Sequence, residues 1–451
     1  MDRWKMYESL VAEYLDYPLP DLVIRDDYTL DLPKPKARNF IYSLIGVRRC
    51  GKTFCLFQTM RRLLEQGYDR RRILFFPFDD NRLDLDQADV ASQVLEAYYR
   101  IVPEAHEGCY LLFDEIQEVP GWDSFVRRVA ENEAVTMIIT GSSSKLLSTD
   151  IPTRLRGRSI SREVWPLSFR EYCAFHAVPV EGVGGSYSTR AAGRLESSFA
   201  TYLEVGGFPA VQGLGPTDRT LVLQAYADEI VTKDVLERFE SASFRVGRRF
   251  ARTALRSTGL RFSVNRQIKD LRSLGLSVSD AAAYALLDDL EDAHLVFKLD
   301  NYSLTIRDNP KSSCKVYSVD PGLALSVAPA SHANLGQRLE TAVFVELKRR
   351  FGQDRDRVIA RYSSKRCPEV DFVVGDILLE EEHQLIQVTV DGGPLGSGVS
   401  KKLLAEVDNL EVAMGETGLS EGTLITLDEE RDIEVGDGVV HIVPAWKWFL
   451  G

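Results

Sequence analysis

The chain has 451 residues, 44% of them hydrophobic, and a formal net charge of −12. That length supports two or three domains with cores of their own, and the acidic balance excludes a protein that binds polyanions over its whole surface, so any nucleic-acid contact has to come from a local patch. No apolar run approaches the ~18 residues of a membrane span. The opening Met1-Asp2-Arg3-Trp4-Lys5 lacks the apolar core of a signal peptide. The six cysteines (Cys50, Cys55, Cys109, Cys173, Cys314 and Cys367) stand singly, which points to reduced thiols in a cytoplasmic protein and away from a zinc site or a disulfide frame.

Residues 1–36 read as a helix and a Pro-rich approach. Residues 40–150 then alternate apolar runs with amphipathic segments. Phe40–Leu44 is a strand feeding a Gly-rich loop, and 52–66 is a helix. Ile73–Phe78, Cys109–Phe113 and Val135–Thr140 are further strands, separated by helices at Val90–Ile101 and Phe125–Glu131. Near-continuous apolar strands alternating with helices predict a parallel sheet covered on both faces. Residues 161–240 look mainly helical. Helical patterns follow at 245–258, 264–274 and 279–293, and then two short strands, Leu295–Leu299 and Tyr302–Arg307, with Asp300-Asn301 between them as a hairpin signal. Three short helices and a hairpin describe a winged helix-turn-helix. From Lys315 onward strands dominate around a single helix at 335–351.

The loop Gly46-Val47-Arg48-Arg49-Cys50-Gly51-Lys52-Thr53 has the spacing of a Walker A motif. Its glycines free backbone N–H groups to wrap phosphates, its Lys reaches the β- and γ-phosphates, and its Thr hydroxyl is a Mg²⁺ ligand. Lying between a strand and a helix, Gly46, Arg48, Arg49, Cys50, Gly51, Lys52 and Thr53 are expected to bind ATP. The apolar strand at 109–113 ends in Asp114-Glu115. Asp114 is expected to hold Mg²⁺ with Thr53, and Glu115 to polarise the attacking water. One hydroxyl of Thr140-Gly141-Ser142-Ser143-Ser144, which closes the next strand, suits a sensor of the γ-phosphate, with Ser142 favoured. A Ser-rich turn capping a helix at 144–148 explains the same residues. Arg158, in the basic run 154–162, suits a finger supplied to a neighbouring copy, which implies a homo-oligomer. A basic surface loop is the other reading.

These runs, with Leu112–Trp122, Ile139–Ser144, Leu155–Arg158, Pro166–Tyr172 and Tyr202–Pro209, resemble the prokaryotic AAA-type ATPases that carry a C-terminal domain of uncharacterised function. The resemblance implies ATP and Mg²⁺ as cofactors and an α/β architecture in five parts. These are an N-terminal helix and linker (1–36), a parallel-sheet P-loop core (37–165), a helical lid (166–240), a winged helix-turn-helix (241–312) and a restriction-endonuclease-like α/β domain (313–451). Nucleases of that last type place an acid on a helix, an acid at a strand end, and Glu-x-Lys on the next strand. The matching positions here are Glu340, Asp371, Gln387 and Thr389. An acid and the lysine are therefore missing, and cleavage is not expected. Asp391 and Glu380–Glu382 are the available substitutes for the missing ligand. In the helix-turn-helix, the last helix (279–292) carries five carboxylates and no Lys or Arg, which repels phosphate. The helices before it are basic: Arg245, Arg248, Arg249, Arg252, Arg256, Arg261, Arg266, Lys269 and Arg272. The expected function is an ATPase that rearranges its later domains on DNA. The alternative is an ATP-dependent switch or scaffold for a protein partner.

Overall fold

The computed structural model describes residues 3–85, 89–142, 155, 157–182, 186–236, 244–302, 314–328, 335–352, 358–375, 383–390 and 400–451. The chain divides into two compact units, Met1–Val164 and Trp165–Gly451.

The first unit is built on five parallel strands: β1 (Ile41–Gly46), β2 (Ile73–Pro77), β3 (Cys109–Asp114), β4 (Val135–Ser142) and β5 (Ser159–Glu163), in the order β2-β3-β4-β1-β5. Every residue of β3 and β4 is buried, as a sheet covered on both faces requires. Helices Lys52–Glu65, Val90–Ile101 and Trp122–Asn132 supply the cover. Each shows an apolar stripe at helical spacing, such as Val90, Ala91, Val94, Leu95 and Tyr98. The N-terminal helix Arg3–Leu15 packs on β2 and on Val90–Ile101. The register decides the site. Gly46 pairs with Ser142 and Pro77 with Asp114, so the carboxyl ends of four strands bring these residues to one edge, where open α/β sheets bind ligands.

The second unit begins with helices Phe169–Phe175, Thr189–Val205 and Pro216–Ile230, the last continued by a π-helical turn, Val231–Val235. The segment expected as a helical lid thus clusters with the C-terminal part of the chain. Its Gly206-Gly207 turn is packed without space for side chains. A Cβ on Gly207 would lie 2.4 Å from the carbonyl oxygen of Leu167, and one on Gly206 would lie 2.1 Å from Asp320 Oδ1. The Asp320 carboxylate accepts the N–H groups of Gly207 (2.5 Å) and Leu323 (2.8 Å), and it caps the helix Pro321–Val327.

Next come helix Phe244–Arg256, β6 (Leu260–Phe262), helices Val264–Ser273 and Asp280–Asp292, β7 (Val296–Leu299) and β8 (Cys314–Ser318). The antiparallel sheet order is β6-β8-β7. Among the described residues β7 pairs with β8, while all but the first residue of the strand expected at Tyr302–Arg307 falls outside them. Residues 303–313 lie outside the described residues. The last part is a six-stranded sheet of β9 (Ile359–Tyr362), β10 (Val370–Val374), β11 (Gln384–Val388), β12 (Glu421–Thr426), β13 (Arg431–Val435) and β14 (Gly438–Pro444), ordered β13-β14-β12-β11-β10-β9. Two long helices accompany it, Leu335–Phe351 and Lys401–Thr417. The second corrects the expectation of a single helix. Ser400 caps it, Gly418 ends it in the left-handed region, and Leu403, Val407, Leu410 and Met414 bury one face. The terminal helix Ala445–Leu450 returns to Phe169–Phe175 and Thr189–Val205, with Phe449 and Phe199 ring centroids 4.9 Å apart. Among the described residues no helix is long and apolar enough to cross a membrane.

Candidate nucleotide site

The Gly-rich loop is shaped by what surrounds it. A Cβ on Gly46 would sit 2.1 Å from the carbonyl oxygen of Val164, so only glycine fits there. Arg49 (φ 69°) and Gly51 (φ 104°) turn the chain through the left-handed region. Gly51 precedes helix Lys52–Glu65 and provides no side-chain cap. The first N–H groups of that helix, with its positive dipole end, therefore face the loop, an arrangement suited to phosphate. Lys52 is 4% exposed, and its Nζ donates to the carbonyls of Gly46 (3.0 Å) and Val47 (3.1 Å). Arg48 lies 3.9 Å from Glu118. Burial pushes up the pKa of the Cys50 thiol and keeps it protonated.

Thr53 Oγ1 donates to Asp114 Oδ2 at 2.7 Å, bringing together the two expected Mg²⁺ ligands. Burial, and then the neighbouring Glu115 carboxylate, push Asp114 up to about 6, a cost that a cation at this position relieves. Glu115 adopts φ 49° and accepts a hydrogen bond from Gln117 Nε2. Ser142 is 1% exposed, and its Oγ has no hydrogen-bond partner among the described residues. An orphaned buried hydroxyl beside Gly46, a loop that excludes a Cβ, and paired hydroxyl and carboxylate oxygens fit a nucleoside triphosphate with its metal. Ser143 and Ser144 lie outside the described residues.

Three roles were not read from the sequence, among them that of Thr140, a residue already within the expected sensor run. Thr140 Oγ1 donates to Asp114 Oδ1 and accepts the N–H of Glu115 at 3.1 Å. Gln117 holds the Glu115 carboxylate. Arg25, in the stretch expected to be a linker, is buried: its Nη1 donates to the carbonyl of Cys50 at 3.0 Å, and Gln58 clasps both its backbone N–H and C=O at 2.9 Å. The DEIQ spacing was a signal for Gln117. Thr140 and Arg25 needed the strand register and the path of the chain.

Arg158 is placed elsewhere. It precedes β5, whose Ser159 pairs with Ile41 at the far end of β1. Along a strand, that is about 20 Å from Gly46. Its guanidinium meets Glu131 at 2.9 Å, so it does not reach its own chain's loop.

Glu340 and Asp371 do converge in the second unit, around a residue the sequence reading passed over, Lys315. Gln387 stands beside them, its Oε1 accepting the N–H of Asp371 at 2.9 Å and its Nε2 donating to Glu406 at 2.8 Å. Thr389 follows β11, with its N–H on Ile425. Asp391 and Glu380–Glu382 lie outside the described residues. Lys315 is the one charged residue in the largely buried strand Cys314–Ser318, and that incongruity was the available signal.

Residues 38–173 match the family described as the AAA domain, and residues 196–334 match a domain of unknown function, DUF8612. The uncharacterised protein MJ1544 of Methanocaldococcus jannaschii is 29% identical over 457 residues, covering 100% of this chain and 96% of that protein. An uncharacterised protein of Haemophilus influenzae is 29% identical over 352 residues, covering 78% of this chain and 84% of the other. A solved structure, the Walker-type ATPase PABY2304 of Pyrococcus abyssi, aligns at 15% identity with a TM-score of 0.38, covering 72% of this chain and 96% of that one. The parallel sheet, its Gly-rich loop and the match over 38–173 define the class of the first unit: a P-loop domain of the AAA type.

Proposed function

We propose that the chain binds ATP with Mg²⁺, hydrolyses it, and uses the change of nucleotide state to rearrange residues 165–451. The carrying observation is the convergence of Lys52, Thr53, Asp114 and Ser142 at one edge of the sheet. Mg²⁺ held by Thr53 and Asp114 would supply positive charge against the phosphates. Lys52 and the loop N–H groups bind the phosphates, Thr53 and Asp114 hold the metal, Glu115 orients and deprotonates water, and Ser142 contacts the γ-phosphate. Mg²⁺-dependent phosphate release by the wild type, abolished by Lys52→Ala, tests this reading. Equal release by both proteins sinks it.

The partner in this reading is DNA. The helix and strand order of 244–318 suits a winged helix-turn-helix, and exposed Arg245, Arg249, Arg266 and Lys269 make no ion pair among the described residues. The second part of the proposal, that Arg158 acts in a neighbouring copy, makes the active form a homo-oligomer. A protein partner is the alternative, favoured by how much of the basic patch is spent internally. Arg248 and Arg252 meet Asp228, Arg256 donates to the carbonyl of Val327, Arg261 meets Glu369, and Arg272 meets Asp280. A salt-titrated DNA-binding measurement separates the two readings. Phosphate contacts weaken steeply with salt, and absence of binding at low salt with and without ATP leaves the protein-partner reading.

A further inference from the structure

Lys315 sits at the meeting point of two sheets. It belongs to β8 of the three-stranded sheet and is 8% exposed at its side chain. Its Nζ lies 2.8 Å from Glu340 Oε1 on the helix Leu335–Phe351, 2.5 Å from Glu369 Oε1, and 3.0 Å from Asp371 Oδ1 on β10. An ammonium has three protons, and here each has its own carboxylate. Further donors meet the same three acids. Tyr317 donates to Glu340 at 2.6 Å, the N–H of Val388 donates to Asp371 Oδ2 at 3.0 Å, and Arg261 and Arg361 reach Glu369 at 3.0 and 3.5 Å. Glu340, Glu369 and Asp371 thus face the cations Lys315, Arg261 and Arg361.

The separations are those of hydrogen bonds, mostly longer than the ~2.0–2.6 Å of Mg²⁺–oxygen and Ca²⁺–oxygen bonds. Gln387, where a further anionic ligand is expected, spends its carbonyl on the backbone of Asp371 and its amide on Glu406. Burial pushes Glu340 up to about 7 and raises Asp371; burial pulls Lys315 down, but Asp371, Glu340 and Glu369 together outweigh it and hold the ammonium protonated. A cluster of this kind is costly to leave uncompensated, and the compensation is covalently attached.

We propose that Lys315 is a built-in counter-ion: its ammonium fills the cation position between Glu340, Glu369 and Asp371, so the cluster clasps the three-stranded sheet to the six-stranded sheet without metal and admits a divalent cation only when that ammonium is removed. The clasp is reinforced by Arg261 of β6 on Glu369 and by Thr258, whose hydroxyl meets that of Thr341 at 2.7 Å. The second unit therefore neither needs Mg²⁺ to hold its shape nor cuts DNA. Hard oxygen ligands freed of the lysine suit Mg²⁺, Mn²⁺ or Ca²⁺.

The test is Mn²⁺ binding to the full chain without nucleotide, followed by loss of the free-ion electron paramagnetic resonance signal. Wild type should leave that signal undiminished. Lys315→Ala should take up a single Mn²⁺, and Lys315→Ala/Asp371→Ala should lose it again. Thermal unfolding gives a second readout: Mn²⁺ should raise the midpoint of Lys315→Ala and leave wild type unmoved. If Lys315→Ala does not fold alone, refolding in millimolar Mn²⁺ should recover it, and failure to recover overturns the proposal. It is equally overturned by Mn²⁺ uptake in wild type that Asp371→Ala removes, or by Mn²⁺-dependent DNA cleavage that Lys315→Met abolishes.

Discussion

Thr140 donates its hydroxyl proton to Asp114 and accepts, on the same oxygen, the N–H of Glu115. One side chain on β4 thus ties down the Asp114 carboxylate and the backbone of Glu115 at the end of β3, and Thr53 holds the other oxygen of Asp114 at 2.7 Å. Thr140→Val keeps the shape and removes both bonds, leaving a buried carboxylate oxygen and a backbone N–H unpaired. Stability should fall by about 1–3 kcal/mol. Turnover should drop by roughly tenfold to a hundredfold, since small displacements of catalytic groups are expensive, while ATP still binds. Steady-state phosphate release and a fluorescent-nucleotide titration check this. Unaltered turnover would remove Thr140 from the site.

Lys52 and Glu115 should separate binding from chemistry. Lys52→Ala deletes the buried ammonium that faces the loop carbonyls, and ATP binding should be lost. Glu115→Gln keeps the volume but cannot accept a proton from water. It should bind ATP near wild-type affinity while hydrolysis slows by about 10²–10⁴-fold. Trapped, unhydrolysed nucleotide in Glu115→Gln after a desalting column is the expected observation, and normal turnover there would place the base elsewhere.

Gly207 and Asp320 make a prediction about the second unit alone. A Cβ at Gly207 would meet the backbone of Leu167 at 2.4 Å, and backbone cannot yield as a flexible side chain can. Gly207→Ala should destabilise that unit by more than about 2 kcal/mol. Asp320 adds a pH dependence. Burial raises its pKa from 3.8 to about 6 against the pull of the Gly207, Leu323 and Gly322 N–H groups. The folded state therefore holds the proton more tightly than the unfolded chain. The stability linked to it is complete below pH 3.8 and is lost as pH rises through 6. Relative to Asp320→Ala, the wild type should lose up to about 3 kcal/mol of its advantage between those limits. Urea unfolding of both proteins at pH 5 and pH 7.5 captures the upper part of that window, about 1.4 kcal/mol, and a pH-independent difference would show that Asp320 is ionised throughout.

The contrast between the two sites shows what a sequence can carry. Gly46–Thr53 and Asp114-Glu115 were legible because their chemistry lies in contiguous residues whose spacing is the mechanism. Thr140 was not, because its role depends on β4 lying beside β3 in a particular register. Lys315 was harder still, since it reaches Glu340 and Asp371 from another sheet, 25 and 56 residues away in the chain. Helix Lys401–Thr417 was a different kind of miss. Its Ser400 cap, its i, i+4, i+7 stripe at Leu403, Val407 and Leu410, and its terminal Gly418 are all present in the sequence, but strands flank it on either side. The Gly206-Gly207 turn was visible as a motif, but its reason, the approach of Leu167 and Asp320, appears only in three dimensions.

Arg158 supplies the remaining prediction. Its guanidinium pairs with Glu131 at 2.9 Å, both side chains being about half exposed, and such a pair contributes less than about 1 kcal/mol. Arg158→Ala should therefore leave the thermal midpoint nearly unchanged. Lying at the opposite end of β1 from Gly46, it can serve catalysis only in a second copy. Turnover per chain in wild type should then rise with protein concentration, and Arg158→Ala should bind ATP but hydrolyse it slowly. Complementation sharpens the test. Lys52→Ala retains Arg158, and Arg158→Ala retains the intact loop, so mixing the two inactive proteins should restore part of the activity in mixed assemblies. Concentration-independent turnover, with no recovery on mixing, would reduce Arg158 to a surface partner of Glu131.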